Sequence, residues 1–256
     1  MDMEWLEKSV VGHPGIENPF LAYLDHEARD LPHALSLVRY WGEQEMPISL
    51  ALSTRWLPTV LSRIWQRAFF DLPPPSKIPL SFESLILQSH GLIQNMAEEF
   101  GEREPNKAHP MLLYKLLSHL KTDRDTWTAN PETDDLVKTG TAICERGSLA
   151  ECVGYLWGAE KFAELEFSRI LAALQRLGAP DELLIYWKVN VGADQEHSES
   201  LARLVDAYVS SSAIEHKRIV DAALTFFRGK ESFFSALARD AGLTAQITQK
   251  SSQATS

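Results

Sequence analysis

Apolar residues return every three or four positions along most of the chain, which is the period of an amphipathic helix. No segment alternates apolar and polar residues between tight glycine turns, as strands would. The pattern predicts helices over 17–28, 31–52, 54–70, 82–101, 109–122, 132–145, 148–178, 181–209 and 213–240. Ser148-x-x-Glu151 and Ser212-x-x-Glu215 read as capping boxes, and Asn130-Pro131 as an N-cap followed by a first-turn proline. Gly101, Gly147 and Gly178 fall where helices should stop. The run from Leu72 through Pro73, Pro74 and Pro75 to Pro79 cannot continue a helix and reads as a rigid connector. Beyond Ala241 the chain turns polar and ends Ser-Ser-Gln-Ala-Thr-Ser, the composition of a flexible tail. The expectation is one all-α domain over 1–240, a compact bundle of about eight or nine helices, with a polar tail over 241–256.

Some polar residues interrupt the apolar stripes. Over 181–209, Leu183, Trp187, Asn190, Asp194, His197, Leu201, Leu204 and Tyr208 share one face, apolar at both ends and polar in the middle. Over 148–178, Glu160 stands among Val153, Leu156, Trp157, Phe167, Ile170, Leu171 and Leu174, with Glu164 one turn further on. Over 82–101, Leu85, Leu92 and Met96 lead to Glu99, and His109 follows ten residues later. A lone buried carboxylate costs several kcal/mol unless a cation or donors answer it. Three inward-facing helices with carboxylates, accompanied by two imidazoles, match the way bundles build carboxylate-bridged iron or manganese sites. Carboxylate oxygen with imidazole nitrogen suits those metals, and no thiol set argues for structural zinc.

Taken singly, each residue also has a plainer reading. Asp194 and His197 suit a structural pair with a buried arginine. Glu160 suits a satisfied core acid, and Glu99, beside Glu98, a solvated one. His109 before Pro110 suits a helix start, and Trp157 and Trp187 suit core packing. His26, His33, His90 and His119 have no matching partners in the pattern.

Charge narrows the function classes. Thirty-five acidic residues against 25 basic ones give a net charge of −10, with lysine and arginine scattered, which argues against nucleic acid or a membrane surface as partner. The 256 residues are 45% apolar and 23% charged, ordinary for a globular chain able to bury a large core. Cys144 and Cys152 cannot make a disulfide framework and read as the reduced thiols of an intracellular protein. The opening Met-Asp-Met-Glu-Trp-Leu-Glu-Lys lacks the apolar run of a signal peptide, and nothing is long and apolar enough to span a membrane. A cytoplasmic location is expected.

The order Glu99, His109, Glu160, then Asn190-x3-Asp194-x2-His197 resembles the haem-oxygenase-like di-iron oxidases, which share their fold with pyrroloquinoline-quinone synthase and thiaminase II. Gly154-Tyr-Leu-Trp-Gly-Ala-Glu160 is similar to the family's helix with a small residue six positions before a bridging glutamate. Glu99-Phe-Gly101 followed by His109-Pro110 resembles its Glu-x-Gly…His-Pro element, and Val191 to Ser198 its terminal His-x3-Asp-x2-His motif. The resemblance covers roughly 80–210. Two departures stand out. Asn190 replaces the first histidine of the terminal motif, and no earlier carboxylate can be placed, Asp71 and Glu83 being poorly positioned.

The resemblance implies a non-haem iron, O2-dependent oxidase or oxygenase acting on an amino-acid, amine or fatty-acid-like small molecule, often in specialised metabolism. It implies one or two Fe(II) per chain, O2 as co-substrate, an external electron donor and a homodimer. Glu99, His109, Glu160 and His197 would hold one iron, leaving Glu160, Asn190 and Asp194 for a second, weaker position. Glu160, Asp194 and Asn190 are the implied catalytic residues, with Asn190 donating to substrate or bound oxygen. Two other readings stay open: a metal-free enzyme of the same fold using Asp194 and His197 as acid–base groups, and a non-catalytic binding protein with a decayed site.

Overall fold

The computed structural model describes residues 18–69, 82–122, 127–209 and 213–243, except the side chains of 67–69, 82–88, 194, 195 and 206–209. It is helical throughout, with no strand among the described residues. Helix α1 (Pro19–Ala22) runs into a wide turn at Tyr23–Glu27. Helix α2 (Leu31–Ala51) passes through a second wide turn, Leu52–Trp56, into α3 (Leu57–Phe69). Then follow α4 (Phe82–Glu99), α5 (His109–His119), α6 (Pro131–Arg146), α7 (Leu149–Arg176), α8 (Ile185–Val209) and α9 (Ala213–Asp240).

The break expected near residue 53 is a widened turn in a continuous helix. Pro58 has no N–H to offer the carbonyl one turn back, and i→i+5 bonding lets the helix run past such a site.

Helix α7 is the centre of the bundle, packed mainly between α8 and α9. Ser148 starts it with a full capping box, its hydroxyl accepting from Glu151 N while the Glu151 carboxylate accepts from Ser148 N. Almost every residue from Leu149 to Phe162 is buried. Gly154 and Gly158 let α9 come very close. A Cβ on Gly154 would lie 2.5 Å from the Ile219 carbonyl oxygen, and one on Gly158 would lie 3.2 Å from the Ala223 backbone. Above this crossing, Tyr155 and Phe162 of α7 interleave with Phe226, Phe227 and Phe234 of α9, ring centroids 5.2–6.2 Å apart. The register of Glu160 and Glu166 on α7 is therefore set by backbone contact and ring packing.

Asn130 caps α6 through Thr133 N at 2.8 Å, as its sequence predicts. Ser212 and the Pro73–Pro79 connector lie outside the described residues, as do the Leu85 and Tyr208 side chains. The chain does not turn to tail at Ala241. Gly242, with φ +71, reverses the end of α9, so that Leu243 N reaches Ala238 O and Leu243 is buried. Cys144 and Cys152 are free, buried thiols. Burial pushes the Cys152 thiol up to about 11, although Arg63 donates to its sulfur at 2.9 Å. No helix among the described residues is long and apolar enough to cross a membrane.

Candidate metal centre

A local turn brings Glu99 and His109 together. After α4 the chain reverses at Gly101 (φ +78) and Glu102 (φ +53), with Gly101 N bonded to Glu98 O and Glu102 N to Ala97 O. A Cβ on Gly101 would lie 2.4 Å from both Ala108 N and Glu104 O, so the loop closes this tightly only around glycine. It delivers His109 to the first turn of α5, where Pro110 needs no N–H partner. His109 Nδ1 then lies 2.8 Å from Glu99 Oε1, both side chains buried.

Helices α7 and α8 add the rest. Glu160, at the middle of α7, accepts from the Asn95 amide of α4 at 3.0 Å through Oε1. Its Oε2 faces His197 Nδ1 at 3.4 Å, an ion-pair contact that is not a formed hydrogen bond, and His197 Nδ1 is left buried without a hydrogen-bond partner. The other His197 nitrogen, Nε2, donates to Glu98 Oε2 at 2.7 Å. Glu99, His109, Glu160 and His197, four of the six residues singled out from sequence, thus stand as two buried acid–imidazole pairs, and Glu99, His109 and Glu160 line one cavity.

Its electrostatics follow from this placement. Burial opposes the charge on His197, but the carboxylates of Glu160 and Glu98 outweigh it and push the imidazole up to about 10. Burial likewise opposes a charged His109, and Glu99 more than offsets it. Glu98 is held below the usual carboxylate range because Gln94 and His197 outweigh its partial burial. The acids and imidazoles are paired, and among the described residues no three His, Cys, Asp or Glu side chains already form a cage for an ion. The donor types nonetheless fit iron: two buried carboxylates, two imidazoles, and in His197 Nδ1 an unsatisfied nitrogen aimed at the central glutamate.

Asn190 lines the same cavity as Glu99, His109 and Glu160. Its amide nitrogen donates one hydrogen to Tyr186 O, one turn back at 2.7 Å, which fixes the side chain and leaves a second N–H and the carbonyl oxygen. Asp194 lies on α8 one turn before His197, but its side chain is outside the described residues. Glu164 pairs with Lys161 on the outer side of α7.

Sequence reasoning missed five residues. Asn95 and Glu98 are the hydrogen-bond partners of Glu160 and His197. Asn95 lies four residues before Glu99 on a face that also carries Leu92, a readable signal. The others are Glu45, Glu166 and Lys230, three buried charges on the cavity wall. Each was visible as a charge inside an apolar stripe: Trp41-x3-Glu45-x2-Ile48, Phe162-x3-Glu166-x3-Ile170, and Phe226-Phe227-x2-Lys230-x2-Phe233-Phe234.

Comparison with known proteins agrees with this picture. The chain is similar over most of its length to a CADD-like protein of unknown function from Nostoc punctiforme. One structure of that protein superposes with a TM-score of 0.69 at 16% identity, covering 93% of this chain and 96% of that one. A second gives 0.66 at 15% identity, covering 93% and 94%. A domain of unknown function with a heme oxygenase-like fold from Shewanella denitrificans gives 0.66 at 16% identity, covering 96% of this chain and 95% of that one. At such identities the likeness shows the fold, which is the haem-oxygenase-like all-α fold. No curated protein matches the chain. A family model described as iron-containing redox enzyme matches residues 88–230, the span that holds Glu99, His109, Glu160 and His197, and the chain belongs to that family.

Proposed function

We propose that this chain is a non-haem iron, O2-dependent oxidase or oxygenase acting on a small molecule. The observation that supports this reading is the burial of Glu99, His109, Glu160 and His197 as two acid–imidazole pairs, with three of the four on the wall of one cavity. Those four residues would hold the iron, which when bound supplies electrons for the reduction of O2, replenished by an external donor. The chain's own part is positional. Asn95 fixes one oxygen of Glu160, and Glu98 fixes the far nitrogen of His197, so both would present their remaining atoms in a set orientation. Trp56, Phe167 and Phe226 give the cavity an apolar wall. Asn190 adds a neutral oxygen, so a second iron position would rest mainly on Glu160 and Asp194 and should be weak.

One observation favours a second reading. His197 stands between two carboxylates, Glu98 and Glu160, the kind of orienting contact that an acid–base group of a metal-free enzyme needs. Anaerobic titration with Fe(II) separates the two. Wild type should bind one iron tightly, and Glu160→Ala and His109→Ala should lose at least tenfold in affinity. Wild type that takes up no iron, or variants that bind it equally well, would overturn the iron reading.

A further inference from the structure

A separate cavity of about 150 Å³ lies between α2, α5 and Trp127, and it shares no lining residue with the one lined by Glu99, His109 and Glu160. The two cavities use different faces of the same helices. From α2, Glu45, Ile48 and Ser49 line the metal-centre cavity, and Glu43, Met46 and Leu50 line this one. From α5, His109 lines the first, and Pro110, Met111 and Tyr114 line the second.

Its wall suits an uncharged occupant. Met46, Leu50, Met111 and Leu117 line it together with the rings of Tyr114 and Trp127. Leu50, Met111 and Tyr114 are 40, 42 and 37% exposed, three large apolar side chains left to water around one hollow. The charged and hydroxyl groups of the wall are answered within the protein. Glu43 accepts from Thr122 Oγ1 at 3.2 Å and pairs with Arg39 at 3.5 Å, and Ser118 Oγ donates to Tyr114 O at 2.9 Å. A charged ligand would therefore lose its hydration without gaining an uncommitted counter-charge. Trp127 is different: its indole Nε1 is buried with no hydrogen-bond partner among the described residues. A buried N–H left unanswered costs about 1–3 kcal/mol, which a ligand oxygen placed on it would recover. Size and softness narrow the class further. An apolar cavity of about 150 Å³ takes up a benzene ring. Two thioethers and two aromatic side chains favour a flat aromatic occupant over a saturated one.

We propose that this cavity is a binding site for a small uncharged aromatic molecule with one acceptor oxygen, its ring packed on Met46, Met111 and Leu117 and its oxygen accepting from Trp127 Nε1. The site lies outside the metal-centre cavity, and the inference stands whether or not the chain binds iron.

The test is a titration of the isotope-labelled full chain with acetophenone, followed by NMR through the tryptophan indole N–H signals, with Trp127→Phe identifying the Trp127 signal. The expected result is a saturable downfield movement of that signal. Isopropenylbenzene, which has the same shape with a carbon in place of the carbonyl oxygen, should bind about fivefold more weakly and give no downfield movement. Benzoate and benzylamine should give no saturable change. Met111→Glu, a change at a half-exposed position that puts a charge on the wall, should weaken acetophenone binding about tenfold. The inference is overturned by a Trp127 signal that does not respond, or by a response confined to other indoles. Isopropenylbenzene, benzoate or benzylamine binding as tightly as acetophenone, or unchanged binding by Met111→Glu, would overturn it equally. If Met111→Glu does not fold, the four ligands on wild type decide alone. If Trp127→Phe does not fold, sequential assignment of wild type identifies the signal.

Discussion

The close backbone approach of α7 to α9 at Gly154 makes a prediction of definite sign. In Gly154→Ala, the new Cβ would lie 2.5 Å from the Ile219 carbonyl oxygen and 2.8 Å from Ile219 Cα. Ordinary van der Waals contact begins at 3.4 Å, so α7 and α9 must separate locally by about 0.9 Å. Neither contact is the tip of a flexible side chain, so nothing can swing aside. Overpacking of this kind costs about 1–3 kcal/mol, with the upper end apt for backbone against backbone. Replacing a mid-helix glycine by alanine returns up to about 1 kcal/mol of propensity. The net expectation is a loss of about 1–2 kcal/mol, or roughly 2–8 °C in melting temperature for a domain of this size. Gly192→Ala is the matched control. It lies within α8, is exposed, and has nothing within 4 Å of the added carbon, so it should gain about 0.5–1 kcal/mol. Urea denaturation of the two variants beside wild type reads both. If Gly154→Ala is as stable as wild type, the α7–α9 crossing is looser than described, and the argument that it sets the height of Glu160 fails. If both variants gain equally, helix propensity alone governs these positions.

Two further predictions concern the buried charges. Lys230→Met leaves the buried Glu166 carboxylate without its cation, which should cost about 3–5 kcal/mol by thermal or urea unfolding. A triple variant Glu45→Gln/Glu166→Gln/Lys230→Met should recover most of that loss, and a neutral Lys230→Met would show that Glu166 is not held charged by the lysine. For pH dependence, Glu45 is raised in the folded chain, from an ordinary 4.5 to about 8, so the folded state holds its proton more tightly than the unfolded one. Its contribution to stability is full below about pH 4.5 and is lost as pH rises through 8, at no more than about 1.4 kcal/mol per pH unit. Urea midpoints at pH 5.5 and 8 should therefore differ less in Glu45→Gln than in wild type, and equal differences would show that Glu45 does not titrate in this window.

Much of this was legible in the sequence because the same periodicity encodes both helices and burial. Glu99, Glu160, Asn190 and His197 were found as polar residues on apolar stripes, and all four are buried. The turn at Gly101 explains why His109 could be attached to Glu99 across a gap of ten residues. What the pattern could not give is the direction of an amide or the partner of a carboxylate. That Asn190 is steadied by a bond to Tyr186 O, one turn back, is not encoded in its spacing. Glu98 looked like an error of helix phase, yet both glutamates at the end of α4 are used, Glu99 on His109 and Glu98 on His197, because the two imidazoles approach from different helices. The expected tail failed at its first three residues for a simpler reason: Leu243 is apolar, and a glycine ahead of it allows the chain to fold back.

The charges overlooked in the sequence clarify why α7 is held so firmly. It carries Glu160 and Glu166 in its buried stretch, and each is answered from elsewhere: Glu160 by Asn95 and His197 of α4 and α8, Glu166 by Trp41 and Lys230 of α2 and α9. Neither acid can be buried unless those helices arrive in register, since an unanswered carboxylate costs several kcal/mol. The close crossing at Gly154 and Gly158 already opposes a sliding of α7. Two glutamates with different partners on different helices oppose it a second time. The same groups that make the cavity chemically competent thereby fix the bundle around it, and variants that neutralise one end should loosen the other.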